Sequence, residues 1–394
     1  MRTKVGVSQE RAVASDGTVA AVELPALTAL RGLAALTVVL FHSSFVAANF
    51  AGGGSPVIFR RGYLAVDLFF FLSGFVLAHV YGQRLAEDRG WRAVGKFLWA
   101  RFCRIFPASV FTTAVFFLPF AIGRLVWPAG FSFKAQFIAS LLLIQVPWLG
   151  QIVVNSPSWS VSAELYAYLL FPFVVPVILR LRGSIVLVLG FALLIEIAID
   201  HMVFTHAQQD WGWGALFRAL PEFTAGVFLY RAYSERFFRS IWEKDATLVA
   251  VTAMTVAAYF AGVSDGPIVA LLPALLLAAV SNSGRMTGLL NMGPLRWLGE
   301  VSYAVYIFQA LPLMVAVGLA GVLVRHGLGG ARFTVLAALL ALGGGVLVHR
   351  CVDLPVRAAL RRAPDRAKAI VAAYRNATAR PMPLVPIAVR ERDN

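Results

Sequence analysis

Of the 394 residues, 59% are hydrophobic and 14% charged, against roughly 25% charged in ordinary soluble domains, which excludes most soluble folds. The formal net charge of +15 would point to nucleic acid in a polar chain; in this apolar one it points to a bilayer, and no nucleic-acid partner is expected. Cys103 and Cys351 are the two cysteines, too few and too far apart for a disulfide framework or a cysteine-held metal, and no metal centre is expected. The expected fold is all-α, a polytopic bundle of about ten transmembrane helices.

Residues 1–24 form a polar head. The apolar run that follows, Leu24 to Phe50, is too long and too deep in the chain for a cleavable signal peptide and reads as a retained span. Further runs lie near 62–81, 105–127, 135–149, 161–179, 184–199, 213–230, 247–262, 267–281, 299–324 and 333–350. The basic tail, residues 359–394, and the basic head both belong in the cytoplasm, because short basic flanks stay inside. Two inside ends need an even number of crossings. The weakest run, 135–149, ends near Pro147 and is expected to be re-entrant or buried. Most of the 35 basic residues then fall on one side, while the outer loops keep Arg60, Arg61, Lys134, Arg325 and Arg332. The chain reads as a head (1–24), a transmembrane domain (25–358) and a basic, disordered tail near anionic lipid.

The informative residues are ionisable ones inside the spans, where charge costs about 2.5–3.5 kcal/mol even on the lenient insertion scale. Arg31 and His42 lie on the first span, and their spacing returns them to one face about 16 Å apart along the helix. The alternative is a snorkelling arginine and a packing histidine. Asp67, about one turn below the outer surface, requires a partner; His42 is the natural one, since a carboxylate often orients a basic imidazole. Backbone or water could satisfy it instead. Arg101 and Arg104 share a face at the inner end of the third span, as phosphate ligands or as topology determinants. Asn155, Ser158, Trp159, Ser160 and Glu164 open the fifth span on the outer side. Ser160 and Glu164 share a face at the depth of His42, and a tryptophan at an interface is ordinary. Glu222 lies near the middle of another span. A titratable outer layer joined to an inner basic layer fits two classes: an enzyme passing a group from a cytosolic donor to an outer acceptor, or a proton-coupled transporter.

The ordered motifs ALRGLAALTVVLFH, GYLAVDLFFFLSGF, RFCRIFP, SWSVSAELYAY, RALPEFTAG and LGEVSYAVYIFQALP resemble the membrane acyltransferase 3 family of bacterial O-acyltransferases from about residue 25 to 358. The family's spaced Arg–His pair falls on Arg31 and His42, and its paired arginines on Arg101 and Arg104. Two departures stand out: Gln309 where relatives commonly carry histidine, and Asp353-Leu354-Pro355 where they carry Glu-x-Pro. Some relatives add a soluble esterase-like domain, for which this chain is expected to be too short.

The resemblance implies a multi-pass protein of the bacterial inner membrane with both termini cytoplasmic. It also implies transfer of an acyl group, usually acetyl from acetyl-CoA as donor substrate with no bound cofactor, to a hydroxyl of a glycan or glycolipid. Lipopolysaccharide, exopolysaccharide, a lipo-oligosaccharide signal and a glycosylated small molecule all offer such hydroxyls. On this reading Arg31, Arg101 and Arg104 bind the acyl-CoA phosphates. His42, oriented by Asp67 or Glu164, acts as general base, and Asn155, Ser158, Trp159 and Glu222 stand on the acceptor or oxyanion side.

Overall fold

The computed structural model describes residues 24–52, 56–88, 90–152 and 154–363; the head to residue 23 and the tail from residue 364, with the roles expected of them, lie outside the described residues. Among the described residues every regular element is helical, as the composition predicts. Helix α1, Pro25–Phe50, starts with proline at its first position, where a missing N–H costs nothing. Short turns lead into α2, Ala65–Leu77, which continues through a π-helical turn, Ala78–Gly82, and a last turn, Gln83–Glu87. Next comes α3, Trp91–Ala121, with Pro107 and Pro119 inside it; neighbouring helices make such interruptions tolerable in a bundle.

The weak run at 135–149 forms α4, Phe133–Leu142, of 10 residues, closed by the left-handed Leu143. At 1.5 Å per residue it is far too short to cross. Ser132 Oγ caps it by accepting from Ala135 N–H at 3.3 Å. The chain continues through α5 (Ser158–Ile178), α6 (Gly183–Val203), α7 (Gly212–Ser234), α8 (Asp245–Phe260) and α9 (Asp265–Ser281). It ends in α10 (Gly293–Phe308), α11 (Ala310–Arg325) and α12 (Gly330–Val348).

By length and composition 6 helical segments can cross a membrane: α1, α2 with its flanking turns, α3, α5, α6 and α12 with its extension; α10 and α11, bent by 58°, add a further span as a pair. The difference from the ten expected lies in α7, α8 and α9. Helix α7 carries Arg218, Glu222 and Arg231, while α8 and α9 have 16 and 17 residues, short of the ~20 that span hydrocarbon untilted. Helix α6 shows the opposite extreme. Only 11% of its apolar window is buried, and Val188, Phe191 and Ile195 point away from the protein, as on a lipid-facing helix.

Two close helix crossings position the site. A Cβ on Gly32 would lie 2.6 Å from Gly299 N, and one on Gly299 2.0 Å from the Thr28 carbonyl oxygen, so α1 and α10 touch backbone to backbone. Helices α2 and α7 cross in the same way: a Cβ on Gly74 would lie 1.9 Å from the Phe223 carbonyl oxygen, and one on Gly226 2.3 Å from that of Phe71. Small residues at helix contacts maximise packing where lipid gives no hydrophobic drive.

Candidate active site

A cavity of about 410 Å³ opens among α1, α2, α3, α5 and α10, with Arg31, Arg101, Arg104 and Arg296 in its walls. The volume lies within the range for small-molecule sites. Arg31 owes its position to the α1–α10 crossing: its Nε and Nη2 donate to the Gly299 carbonyl at 3.1 and 2.8 Å. Arg101 donates to the Tyr81 hydroxyl at 2.9 Å and stacks over the same ring at 5.0 Å. Arg104 lies over the Tyr303 ring at 5.1 Å and 3.8 Å from Asp353.

Asp353 is fully buried and also holds Arg357 and, at 3.2 Å, His349 Nδ1. The residue that replaces the glutamate of Glu-x-Pro is thus the anchor of one cavity arginine. Not every guanidinium donor is used: Arg101 Nε and Arg104 Nη1 are buried without a hydrogen-bond acceptor among the described residues.

Ser160 and Glu164, one helical turn apart, both line this cavity, as their shared face requires. Glu164 accepts from the hydroxyls of Ser73 and Tyr168, each at 2.6 Å. The hydroxyls of Ser160 and Tyr306 lie 2.7 Å apart, and both donate toward the Pro157 carbonyl.

His42 has a partner that the sequence reading did not assign. Its Nδ1 lies 3.2 Å from Gln309 Oε1, while Gln309 Nε2 donates to the Tyr306 carbonyl at 3.0 Å. The second bond fixes which end of the amide faces the imidazole. An amide oxygen only accepts, so Nδ1 carries the proton and a neutral His42 keeps its lone pair on Nε2, the form a general base needs. Tyr306 lines the cavity, so the chain Tyr306–Gln309–His42 joins its wall to the imidazole. The departure at Gln309 therefore falls on the residue that holds His42.

The expected pairing of His42 with Asp67 or Glu164 is corrected. Glu164 is taken up by Ser73 and Tyr168, and Asp67, fully buried, receives Arg218 Nε at 2.7 Å and Nη2 at 3.0 Å. Asp67 faces α7 rather than α1 because the glycine crossing brings α2 against α7. A two-pronged bond to guanidinium is the strongest partner a buried carboxylate can find.

Arg218 also donates to Asp210 at 2.7 Å and lies over the Trp159 ring at 5.3 Å. His201 Nε2 sits 3.3 Å from Asp67 and 3.4 Å from Glu222, whose oxygens are buried. Ligand atoms of Asp67, His201 and Glu222 fall within 4.8 Å of one another, yet both Asp67 oxygens are engaged by Arg218, so the group reads as an ion-pair network rather than a metal centre.

The residues expected near the acceptor divide the same way. Trp159 and Glu222 belong to the Arg218 network. Ser158 Oγ accepts from Gln145 at 3.0 Å, and Asn155 is a left-handed residue, φ 53°, with a buried side-chain oxygen that lacks a donor among the described residues. Sequence reasoning missed Arg218 and His201. Arg218 stands four residues before Glu222 in a motif already singled out, which was the available signal; His201 sits beside a loop with no Lys or Arg and gave none.

A model of an acyltransferase domain family matches residues 24–350. Protein 2 in picA locus of Rhizobium radiobacter is 37% identical over 35% of this chain and 75% of its own length. Acyltransferase MdmB of Streptomyces mycarofaciens is 35% identical over 38% of this chain and 39% of its own. Peptidoglycan O-acetyltransferase OatA of Listeria monocytogenes is 24% identical over 73% of this chain and 49% of its own. The chain thus spans less than half the length of the latter two. No solved structure matches. With the family model covering nearly all the described helices, the chain belongs to this acyltransferase family and is an acyltransferase built into a membrane-spanning helix bundle.

Proposed function

We propose that the protein moves an acyl group, acetyl in the first instance, from acyl-CoA to a hydroxyl of a glycan or glycosylated acceptor. The observation that carries this reading is the cavity walled by Arg31, Arg101 and Arg104: three cations, of which Arg101 and Arg104 have donors to spare, suit the phosphates of a nucleotide thioester. The pantetheine arm runs from them along Glu164 toward Ser160 and Tyr306. His42 Nε2 takes the proton of the acceptor hydroxyl as its oxygen attacks the thioester carbonyl. The C–S bond then breaks, and the leaving thiolate is protonated by the imidazolium. Gln309 keeps the imidazole in the required tautomer. The glycan class of acceptor is supported by the peptidoglycan substrate in the name of OatA, and the basic cavity end belongs at the cytoplasmic face of the inner membrane.

Membranes containing the protein, supplied with acetyl-CoA labelled in the acetyl group, should yield labelled glycan, and His42→Ala membranes should not. Uptake of a substrate without acyl transfer would support the transporter reading instead.

A further inference from the structure

A second cleft, of about 500 Å³, lies between α6, α7 and α9 and shares no lining residue with the arginine cavity. Its depth is apolar, with Leu194, Ala225 and Leu277 in the walls. Its lining includes Phe191, which is 61% exposed on the helix turned almost wholly outward, so the cleft opens sideways to the bilayer.

One end has a different character. There α6 begins and α7 and α9 end, and the lining includes Arg236, Arg239 and Trp242. Arg236 and Phe238 both take left-handed backbone, φ 59° and 54°, a conformation uncommon for residues with side chains. The Arg236 guanidinium has no ion-pair partner among the described residues, and Arg239 is shared with Glu243 at 3.1 Å.

We propose that this cleft binds an anionic phospholipid, with one acyl chain between α6, α7 and α9 and the headgroup phosphate on Arg236 and Arg239. An apolar slot open to the bilayer suits a hydrocarbon chain, and cations at one end only suit an anionic head. The neighbouring loops are basic, which places that end at the cytoplasmic leaflet, where anionic lipid is available. Helix α7 lines the cleft with Ala225 and Leu229 and, farther along, carries Arg218 and Glu222, so a bound lipid braces the helix that holds the ion-pair network.

The test is native mass spectrometry of the full chain released from detergent, titrated with phosphatidylglycerol or phosphatidylcholine. The wild type should hold one phosphatidylglycerol with a dissociation constant about tenfold below that of phosphatidylcholine. The Arg236→Gln, Arg239→Gln double variant should bind both lipids equally, and Gly190→Leu, which fills the slot, should weaken both. Melting temperature checks that each variant is folded. Equal affinity of the wild type for the two lipids, or a preference that survives the double substitution, overturns the proposal. So does displacement of the lipid by millimolar glycerol 3-phosphate, which would mark a site for soluble phosphates.

Discussion

The arginine cavity and the Arg218 network are both groups of charges buried in an apolar bundle, yet they spend those charges differently. Arg218 is consumed: Asp67 and Asp210 take its donors, Trp159 covers its face, and it does not line the arginine cavity. Arg101 and Arg104 retain unsatisfied donors and face open space. A closed network braces helices; an open one waits for an anion. Charge in a membrane marks a functional site most clearly when the protein leaves it only partly paired.

The largest effect should come from the imidazole. His42→Ala should lower kcat by about 100- to 10,000-fold, the usual worth of a positioned base, with folding intact; normal turnover would remove His42 from the mechanism. Arg218→Met strikes the closed network and should act on stability, because Asp67 is left as an uncompensated buried charge. A loss of about 3–5 kcal/mol is expected, read as a lowered Tm in detergent, with partial recovery when Asp67→Asn is added. An unchanged Tm would show that the Arg218 network does not brace the helices.

Arg101→Gln with Arg104→Gln probes the open group. Each lost charge-assisted bond is worth about 1.5–3 kcal/mol, so the KM for acetyl-CoA should rise at least about tenfold per residue while Tm changes little. A fall in Tm with an unchanged KM would make these arginines structural. The smallest effect belongs to Gln309→Leu. Removing the tautomer lock should reduce kcat by about two- to tenfold and leave the donor KM alone, and Gln309→Glu, which still accepts from Nδ1, should restore part of it.

What the sequence revealed and concealed follows from range. Ser160 and Glu164 share a face because helical geometry fixes neighbours four apart, and both were found lining the cavity. The same periodicity puts Arg31 and His42 on one face, and of the two Arg31 lines the cavity. Which imidazole meets which acceptor was hidden, because those contacts cross the bundle: His42 and Gln309 are 267 positions apart, Asp67 and Arg218 151. Proximity along the chain favoured His42 for Asp67 through a short loop. Packing chose otherwise, since α2 lies flush against α7 at Gly74 and Gly226 while α1 lies flush against α10. The crossing count is harder to read for a related reason: α8 and α9, of 16 and 17 residues, match their apolar runs closely, yet a run of that length can cross a bilayer or stop within the bundle.

The α1–α10 crossing also bears on how this protein can change. The acceptor of Arg31 is a main-chain oxygen, that of Gly299, so no substitution at residue 299 can delete it; a substitution can only move it. One methyl group on Gly32 or Gly299 would wedge the helices apart and carry the carbonyl out of the arginine's reach. The positions most exacting for this donor end therefore bear no functional group, and variation that spares every charged residue can still silence the site through an added carbon.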